Sequence, residues 1–184
     1  MMRDAVKDFT DKEIWSKKHE FETHNYQLTA DVMKKAGNLG FLGVNVPEEY
    51  GGLGMPFTSS MLVCDYISGS SGSTSTAFGA HTGIGTMPIL LYGTEDQKRK
   101  YIPKLATGEH IGAYCLTEPS AGSDANNGKT KAVISEDKKH YLITGQKMWI
   151  SNAGFADILT VFARIEDDKN ITAFIVENNP ENGI

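Results

Sequence analysis

Residues Asp157–Ile165, DILTVFARI, decide the fold class. Leu159, Val161, Ala163 and Ile165 fall on one face of an extended chain, and Ile158, Thr160, Phe162 and Arg164 on the other. That is the period of two that a β-strand imposes. The next run, Ile171–Val176 (ITAFIV), is apolar on both faces, which predicts a strand buried on both. Charged turn segments, Ser135–His140 (SEDKKH) and Glu166–Asn170 (EDDKN), separate the strand-like runs. From about residue 111 onward the chain therefore reads as an antiparallel β unit.

Toward the N-terminus the period lengthens. Val32, Met33, Ala36 and Leu39 recur at i, i+1, i+4 and i+7, one face of a helix that Gly40 can close. Val44–Gly54 (VNVPEEYGGLG) is a loop whose glycines suit a left-handed backbone. Thr94–Gln97 (TEDQ) forms a capping box, in which the Thr94 hydroxyl and the Gln97 side chain reciprocate. Tyr101, Ile102 and Leu105 continue an apolar stripe that Gly108 ends. Pro103 lacks an amide proton and its ring meets the Arg99 carbonyl, which predicts a kink or a restart. Ser68–Ala80 (SGSSGSTSTAFGA) has the composition of a linker, yet its flanks, Met61–Ile67 and Thr86–Tyr92, are too apolar for solvent. A packed helix whose small residues admit a neighbouring backbone is the alternative, and composition leaves both open. The expected organisation is a helical domain over 1–110 and a β domain over 111–184.

Composition narrows the function classes. Of the 184 residues, 40% are hydrophobic and 22% charged, as in ordinary globular domains. A formal net charge of -5 without a basic run argues against nucleic acid. The charged N-terminus has no apolar signal core and no 18-residue apolar stretch follows, so a cytoplasmic protein without a transmembrane segment is expected. Cys64 and Cys115 sit in apolar settings and read as reduced, buried thiols. Ser120 and Ser123 flank Gly122 but do not form a nucleophile elbow. His81 and His110 are isolated and read as hydrogen-bonded structural residues rather than metal ligands. "GIGTMP" at Gly83 lacks the third glycine of a dinucleotide loop.

Two bends remain. Ala113–Asp124 (AYCLTEPSAGSD) leaves a strand end with small hydroxyl side chains around a proline and a glycine. Exposed amides and hydroxyls of this kind can cradle a polar ring edge or a phosphate. Lys147–Gly154 (KMWISNAG) places Trp149 beside Ser151 and Asn152, a flat wall next to a donor. Taken by spacing alone, both remain readable as plain turns, with Trp149 an ordinary core residue.

The segments CLTEPSAGSD and KMWISNAG resemble signatures of the acyl-CoA dehydrogenase family, and so do GFLGVNVPEEYGGLGM, YGTEDQKRKYIPKLATGEHIGAYCLTEP and LITGQKMWISNAGFADILTVFAR, in order and spacing. At Asn127 many members carry a small residue, a departure that touches no expected flavin contact. The resemblance implies an α+β chain: an N-terminal all-α domain, then a partial antiparallel β-barrel-like middle domain. It implies that Ser68–Ala80 is packed helix. It also implies that the chain is incomplete, stopping at Asn182-Gly183-Ile184 before a C-terminal helical bundle that holds the glutamate base and much of an oligomer interface.

In that family a glutamate removes the α proton of an acyl-CoA thioester while the β hydride passes to FAD. The product is a trans-2-enoyl-CoA, a step of fatty-acid β-oxidation, and an electron-transfer flavoprotein reoxidises the flavin. Carried over by motif position, Tyr114, Cys115, Leu116, Thr117, Ser123, Trp149, Ile150 and Ser151 are the expected cofactor-binding residues. Ser123 is also expected to meet the bound acyl-CoA. Ser151 stands where many relatives have threonine, and either supplies a hydroxyl. Glu118 directly precedes Pro119 and reads as a turn-holding residue; Asp124 is expected to accept from backbone amides. No catalytic residue is assigned, so the chain alone is expected to be inactive, and the full-length protein to be a homo-oligomer. The overall likeness leans toward long-chain members. An oxidase or monooxygenase on the same scaffold, or a non-catalytic interaction module, are the competing functions.

Overall fold

The computed structural model describes residues 1–23, 25–166 and 168–179. The termination at 182–184 discussed above lies outside them. Helix α1 (Met2–Phe9) runs on through a wide turn at Thr10–Ile14 and a tight one at Trp15–Lys17 into α2 (Lys18–Phe21). Then come α3 (Tyr26–Asn38), α4 (Phe57–Ser70), α5 (Gly72–Gly79), α6 (Met87–Tyr92) and α7 (Glu95–Thr107). Val6, Phe9 and Ile14 meet Val32 and Met33 of α3, Val63 and Ile67 of α4, and Phe78 of α5 in one core. Ile102 and Leu105 of α7 are fully buried in a second, together with Val46, Ile89 and Ile158. Each such side chain contributes roughly 1.5–3 kcal/mol by leaving water.

Local signals explain most helix ends. Thr94 accepts from the Gln97 amide at 3.3 Å while Gln97 Oε1 accepts from the Thr94 amide at 2.9 Å, and Gly108 closes α7 at φ 70°. Helix α7 is continuous through Pro103, with no restart. The carbonyl that proline leaves unpaired belongs to Arg99, an exposed residue, so water can satisfy it. Leu39 does not share the buried face of Val32, Met33 and Ala36; it is the C-cap of α3 and is exposed. Ser68–Ala80 is helical on both sides of Ser71, whose hydroxyl accepts from the Thr74 amide at 3.3 Å and starts α5. Gly69, Gly72 and Gly79 have open space where a Cβ would stand among the described residues.

The C-terminal part is a five-stranded sheet of β1 (Gly112–Cys115), β2 (Lys131–Ile134), β3 (Tyr141–Thr144), β4 (Ile158–Ile165) and β5 (Ile171–Glu177). The expected strands form, but the sheet is mixed rather than antiparallel. β4 pairs antiparallel with β5 along one edge; its other edge takes β1 (Ala113 opposite Leu159) and then β2 (Lys131 opposite Arg164), both parallel. β2 and β3 form an antiparallel hairpin. The parallel pairings arise because the chain leaves β1 into the bends and the hairpin, and returns to β4 in β1's own direction. The sheet does not close on itself among the described residues. β5 is half-buried rather than covered on both faces: its residues are partly buried and Ala173 is exposed.

Several side chains fasten the sheet to the helical part; Tyr101 of α7, for one, donates its hydroxyl to Glu177 of β5 at 2.9 Å. His81 is fully buried; its Nδ1 accepts from the Gly112 amide at 3.0 Å and its Nε2–H donates to the Leu105 carbonyl at 2.9 Å. Burial pushes its pKa down to about 4, so the ring is neutral. Asn152 Nδ2 donates to the Ala77 carbonyl at 3.0 Å and the Gly112 carbonyl at 3.2 Å, and Asp157 Oδ2 accepts from the Ile111 amide at 2.8 Å. At this joint Gly85 and Gly112 touch backbone to backbone: a Cβ on Gly85 would lie 2.9 Å from the Gly112 carbonyl carbon.

Candidate functional site

The two bends lie side by side. The Met148 amide donates to the Thr117 carbonyl at 2.9 Å. One residue earlier, Lys147 Nζ donates to the Leu116 carbonyl at 3.2 Å and to Glu118 Oε1 at 2.8 Å. Residues 147–148 thus bind three successive residues, 116–118.

The first bend begins where β1 leaves β4, after Cys115 opposite Val161. Glu118 and Ala121 exchange backbone hydrogen bonds of 3.0 and 3.1 Å around Pro119 and Ser120, a tight turn that leaves Gly122, Ser123 and Asp124 exposed. Glu118 anchors it from within. Its carboxylate, 5% exposed, accepts from the Lys129 amide (2.5 Å), the Thr130 amide (3.1 Å) and hydroxyl (2.5 Å), and Lys147. Burial by itself would push this carboxyl up; the hydrogen bonds from Lys147, Thr130 and Lys129 outweigh that and hold it at about 2. Such a carboxylate is ionised at every working pH and is a poor proton acceptor. Asp124 differs from expectation: its side chain makes no hydrogen bond among the described residues, and its backbone carbonyl accepts from Asn127. Asn126 is the residue that ties the loop down, accepting from the Ile171 amide at 3.1 Å and donating to the Lys169 carbonyl at 3.2 Å.

The second bend is strained. Trp149 has φ +58° and Asn152 φ +69°. Asparagine tolerates this region, but a bulky residue there is an outlier of the sort that tight functional turns hold. Trp149 is not core, contrary to the reading from spacing alone; it is 85% exposed. The hydroxyls of Thr117, Ser123 and Ser151, and the amides of Trp149, Ile150 and Ser151, find no hydrogen-bond partner among the described residues.

The expected site residues divide between two faces. Strand alternation sends Tyr114 and Cys115 to opposite sides. Tyr114 packs on Phe162 with ring centroids 4.9 Å apart. Cys115 is buried with Ala113, Ala156 and Leu159, where Ile150 joins it, and burial pushes its thiol up to about 11. Leu116 and Thr117 are half-buried at the junction of the bends, Ser123 and Trp149 are exposed beside them, and Ser151 lines a groove of about 370 Å³ with Tyr26, Asn152 and Phe155. A cavity of about 1070 Å³ lies within the curl of the sheet; Cys115, Lys147 and Ile150 line it, whereas Thr117, Ser123 and Trp149 do not. Lys147 and Asn152 are the positioning residues that motif reading passed over. The one signal was a lysine and an asparagine inside an otherwise apolar bend.

Comparison with known proteins accords with this geometry. Residues 1–109 match the acyl-CoA dehydrogenase N-terminal domain and residues 113–184 the acyl-CoA dehydrogenase middle domain. A probable acyl-CoA dehydrogenase of Bacillus subtilis (strain 168) is 47% identical over 177 residues, covering 96% of this chain and 30% of its own length. The mitochondrial isovaleryl-CoA dehydrogenase of Pongo abelii is 38% identical over 182 residues, covering 96% and 43%. A crystal structure of acyl-CoA dehydrogenase complexed with FAD from Bacillus anthracis superimposes with a TM-score of 0.92 at 44% identity, covering 96% of this chain and 30% of that one. The chain therefore spans less than half the length of these relatives. With both domain matches in sequence order, it belongs to the acyl-CoA dehydrogenase family.

Proposed function

We propose that the full-length protein is an FAD-dependent acyl-CoA dehydrogenase that converts an acyl-CoA to its trans-2-enoyl-CoA, in fatty-acid β-oxidation, and passes its electrons to an electron-transfer flavoprotein. The observation that carries the reading is the Met148–Thr117 hydrogen bond, which joins the bend carrying the exposed, strained Trp149 to the bend carrying Thr117, both with hydroxyls and amides that find no partner among the described residues. A planar heteroaromatic group with a polar edge fits that donor set: an aromatic wall on one side, neutral donors on the other. FAD, when bound, supplies the acceptor for the hydride equivalent of the substrate β carbon.

The residues of this chain bind and orient. Trp149 offers its indole face; the hydroxyls of Thr117 and Ser151 donate to the polar ring edge and favour negative charge there. Ser123, carried outward by the Glu118–Ala121 turn, donates to phosphate or thioester oxygen. Glu118, held at about 2, serves as an anchor and moves no proton. The isovaleryl-CoA relative keeps branched and short acyl groups alongside long ones as candidate substrates.

The test is the flavin absorbance of the full-length protein before and after acyl-CoA thioesters of graded chain length. Bleaching of bound flavin by one length class supports the reading and names the substrate. Protein isolated without flavin, and unable to take up added FAD, overturns it. Oxygen consumption without an added acceptor would replace the dehydrogenase by an oxidase.

A further inference from the structure

We propose that Lys147 is a positioning residue: its part-buried ammonium latches the two bends together and polarises the Leu116–Thr117 peptide toward the cofactor edge. This rests on the flavin reading above for its second half, and on geometry alone for its first.

The latch is visible in who holds what. The Lys147 side chain is 14% exposed and that of Glu118 4%. Lys147 reaches the Leu116 carbonyl and the Glu118 carboxylate, the residues on either side of Thr117, while the next amide, Met148, takes the Thr117 carbonyl. Glu118 carries the tie onward to Lys129 and Thr130 at the start of β2. Gly145 leaves no slack before the latch, since a Cβ there would stand 2.4 Å from Thr130 Oγ1. A left-handed tryptophan persists only where its surroundings over-determine it. The contacts of residues 147 and 148, directly before Trp149, supply that determination.

The polarisation follows from peptide conjugation. A cation on the Leu116 oxygen draws electron density through the planar amide and leaves the Thr117 N–H a stronger donor. With its side chain 14% exposed, Lys147 is screened by water less than a surface lysine would be. Lysine-to-glutamate contact alone would be served by any buried pair, but contact with the Leu116 carbonyl places the charge one peptide from the residue expected to meet the ring edge.

Two measurements on full-length protein separate the latch from the flavin reading. In the apo form, hydrogen exchange at Met148 to Ser151 is followed in Lys147→Met, Lys147→Arg and the double variant Lys147→Gln/Glu118→Gln, which keeps a neutral hydrogen bond should the buried charge left by the single change prevent folding. Exchange at the Met148 amide is expected to accelerate at least tenfold in Lys147→Met and to return toward the parent in Lys147→Arg. Unchanged exchange in a folded Lys147→Met, or in the double variant if only that folds, overturns the latch, whether or not the protein binds flavin. In the FAD-loaded form, the double variant is expected to lower the flavin midpoint potential and weaken FAD binding several-fold. A parent-like potential in a folded double variant overturns the polarisation.

Discussion

Trp149 holds an 85% exposed indole on a backbone at φ +58°, so the fold spends conformational strain on a side chain it does not bury. Replacing it by glycine relieves about 1–2 kcal/mol of left-handed strain and costs about 0.5–1 kcal/mol of chain entropy. Trp149→Gly is therefore expected to unfold in denaturant within about 1 kcal/mol of the parent, while FAD affinity of the full-length protein drops about tenfold or more through loss of the stacking face. A large loss of stability instead would return Trp149 to the core. His81 gives a pH signature. The folded ring titrates near pH 4 and the free side chain at 6.5, so as pH falls the unfolded chain takes the proton first. The stabilisation is complete above pH 6.5 and is lost between 6.5 and 4, about 3 kcal/mol in all. Glu118 acts lower, between about 4.5 and 2, so of these two groups His81 alone gives the slope above pH 4.5. Denaturant unfolding at stepped pH should show the upper slope, and His81→Gln should flatten it. The motif carrying Trp149 was legible in the sequence, but its exposure was not: an aromatic between Met148 and Ile150 has the pattern of a core residue until the left-handed turn throws it outward.

At the scale of elements, the loop between β1 and β2 is held by a clasp. Arg164 on β4 donates to the Asp168 carbonyl at 2.8 Å, to the Lys169 carbonyl at 2.6 Å and to the Asn126 carbonyl, while Asn126 Oδ1 takes the Ile171 amide. Hydrogen bonds from a charged donor to carbonyls are worth about 1.5–3 kcal/mol each before competition from water. Arg164→Met is expected to cost about 1–3 kcal/mol and to raise hydrogen exchange at Asn127 and Ile171, with β1 unaffected. Loosening of β1 as well would mean that the clasp supports the whole sheet. The ends of helix α7 could be read in advance, because Thr94, Gln97 and Gly108 act on their own neighbours. The direction of strand pairing could not. Alternation tells which residues share a face of β4; it is silent on whether β1 arrives parallel or antiparallel, since that depends on where the intervening 42-residue excursion returns the chain, from Leu116 to Asp157.

Across the whole molecule, the helices and the sheet meet at a packed joint: Ile158 and Ile175 of the sheet lie against Ile102 and Leu105 of α7, Tyr101 donates to Glu177, and His81, Asn152 and the contact of Gly85 with Gly112 complete it. Gly85→Ala puts a methyl group 2.9 Å from a backbone carbon and is expected to destabilise by about 1–3 kcal/mol through overpacking. Thermal unfolding should show it, and separation into two transitions would mean the two parts fold independently. The 184-residue chain on its own is expected to leave acyl-CoA unchanged, because Glu118, the carboxylate that anchors the joined bends, is held too acidic to remove a proton. Measurable enoyl-CoA formation by the purified chain would refute this.

The sequence by itself determined what depends on neighbours a few residues apart: the helical half, the strand alternation of DILTVFARI, the capping box, and the two motif bends. Tertiary structure alone decided which bend touches which, that Lys147 closes them through Leu116 and Glu118, and that the sheet is mixed and, among the described residues, open. The reason is range. Backbone sterics and capping act over three or four residues and leave their mark in local pattern. The site is made by hydrogen bonds spanning about thirty residues of chain, 29 for Lys147 to Glu118 and 31 for Lys147 to Leu116, and no local preference encodes the path that brings their ends together.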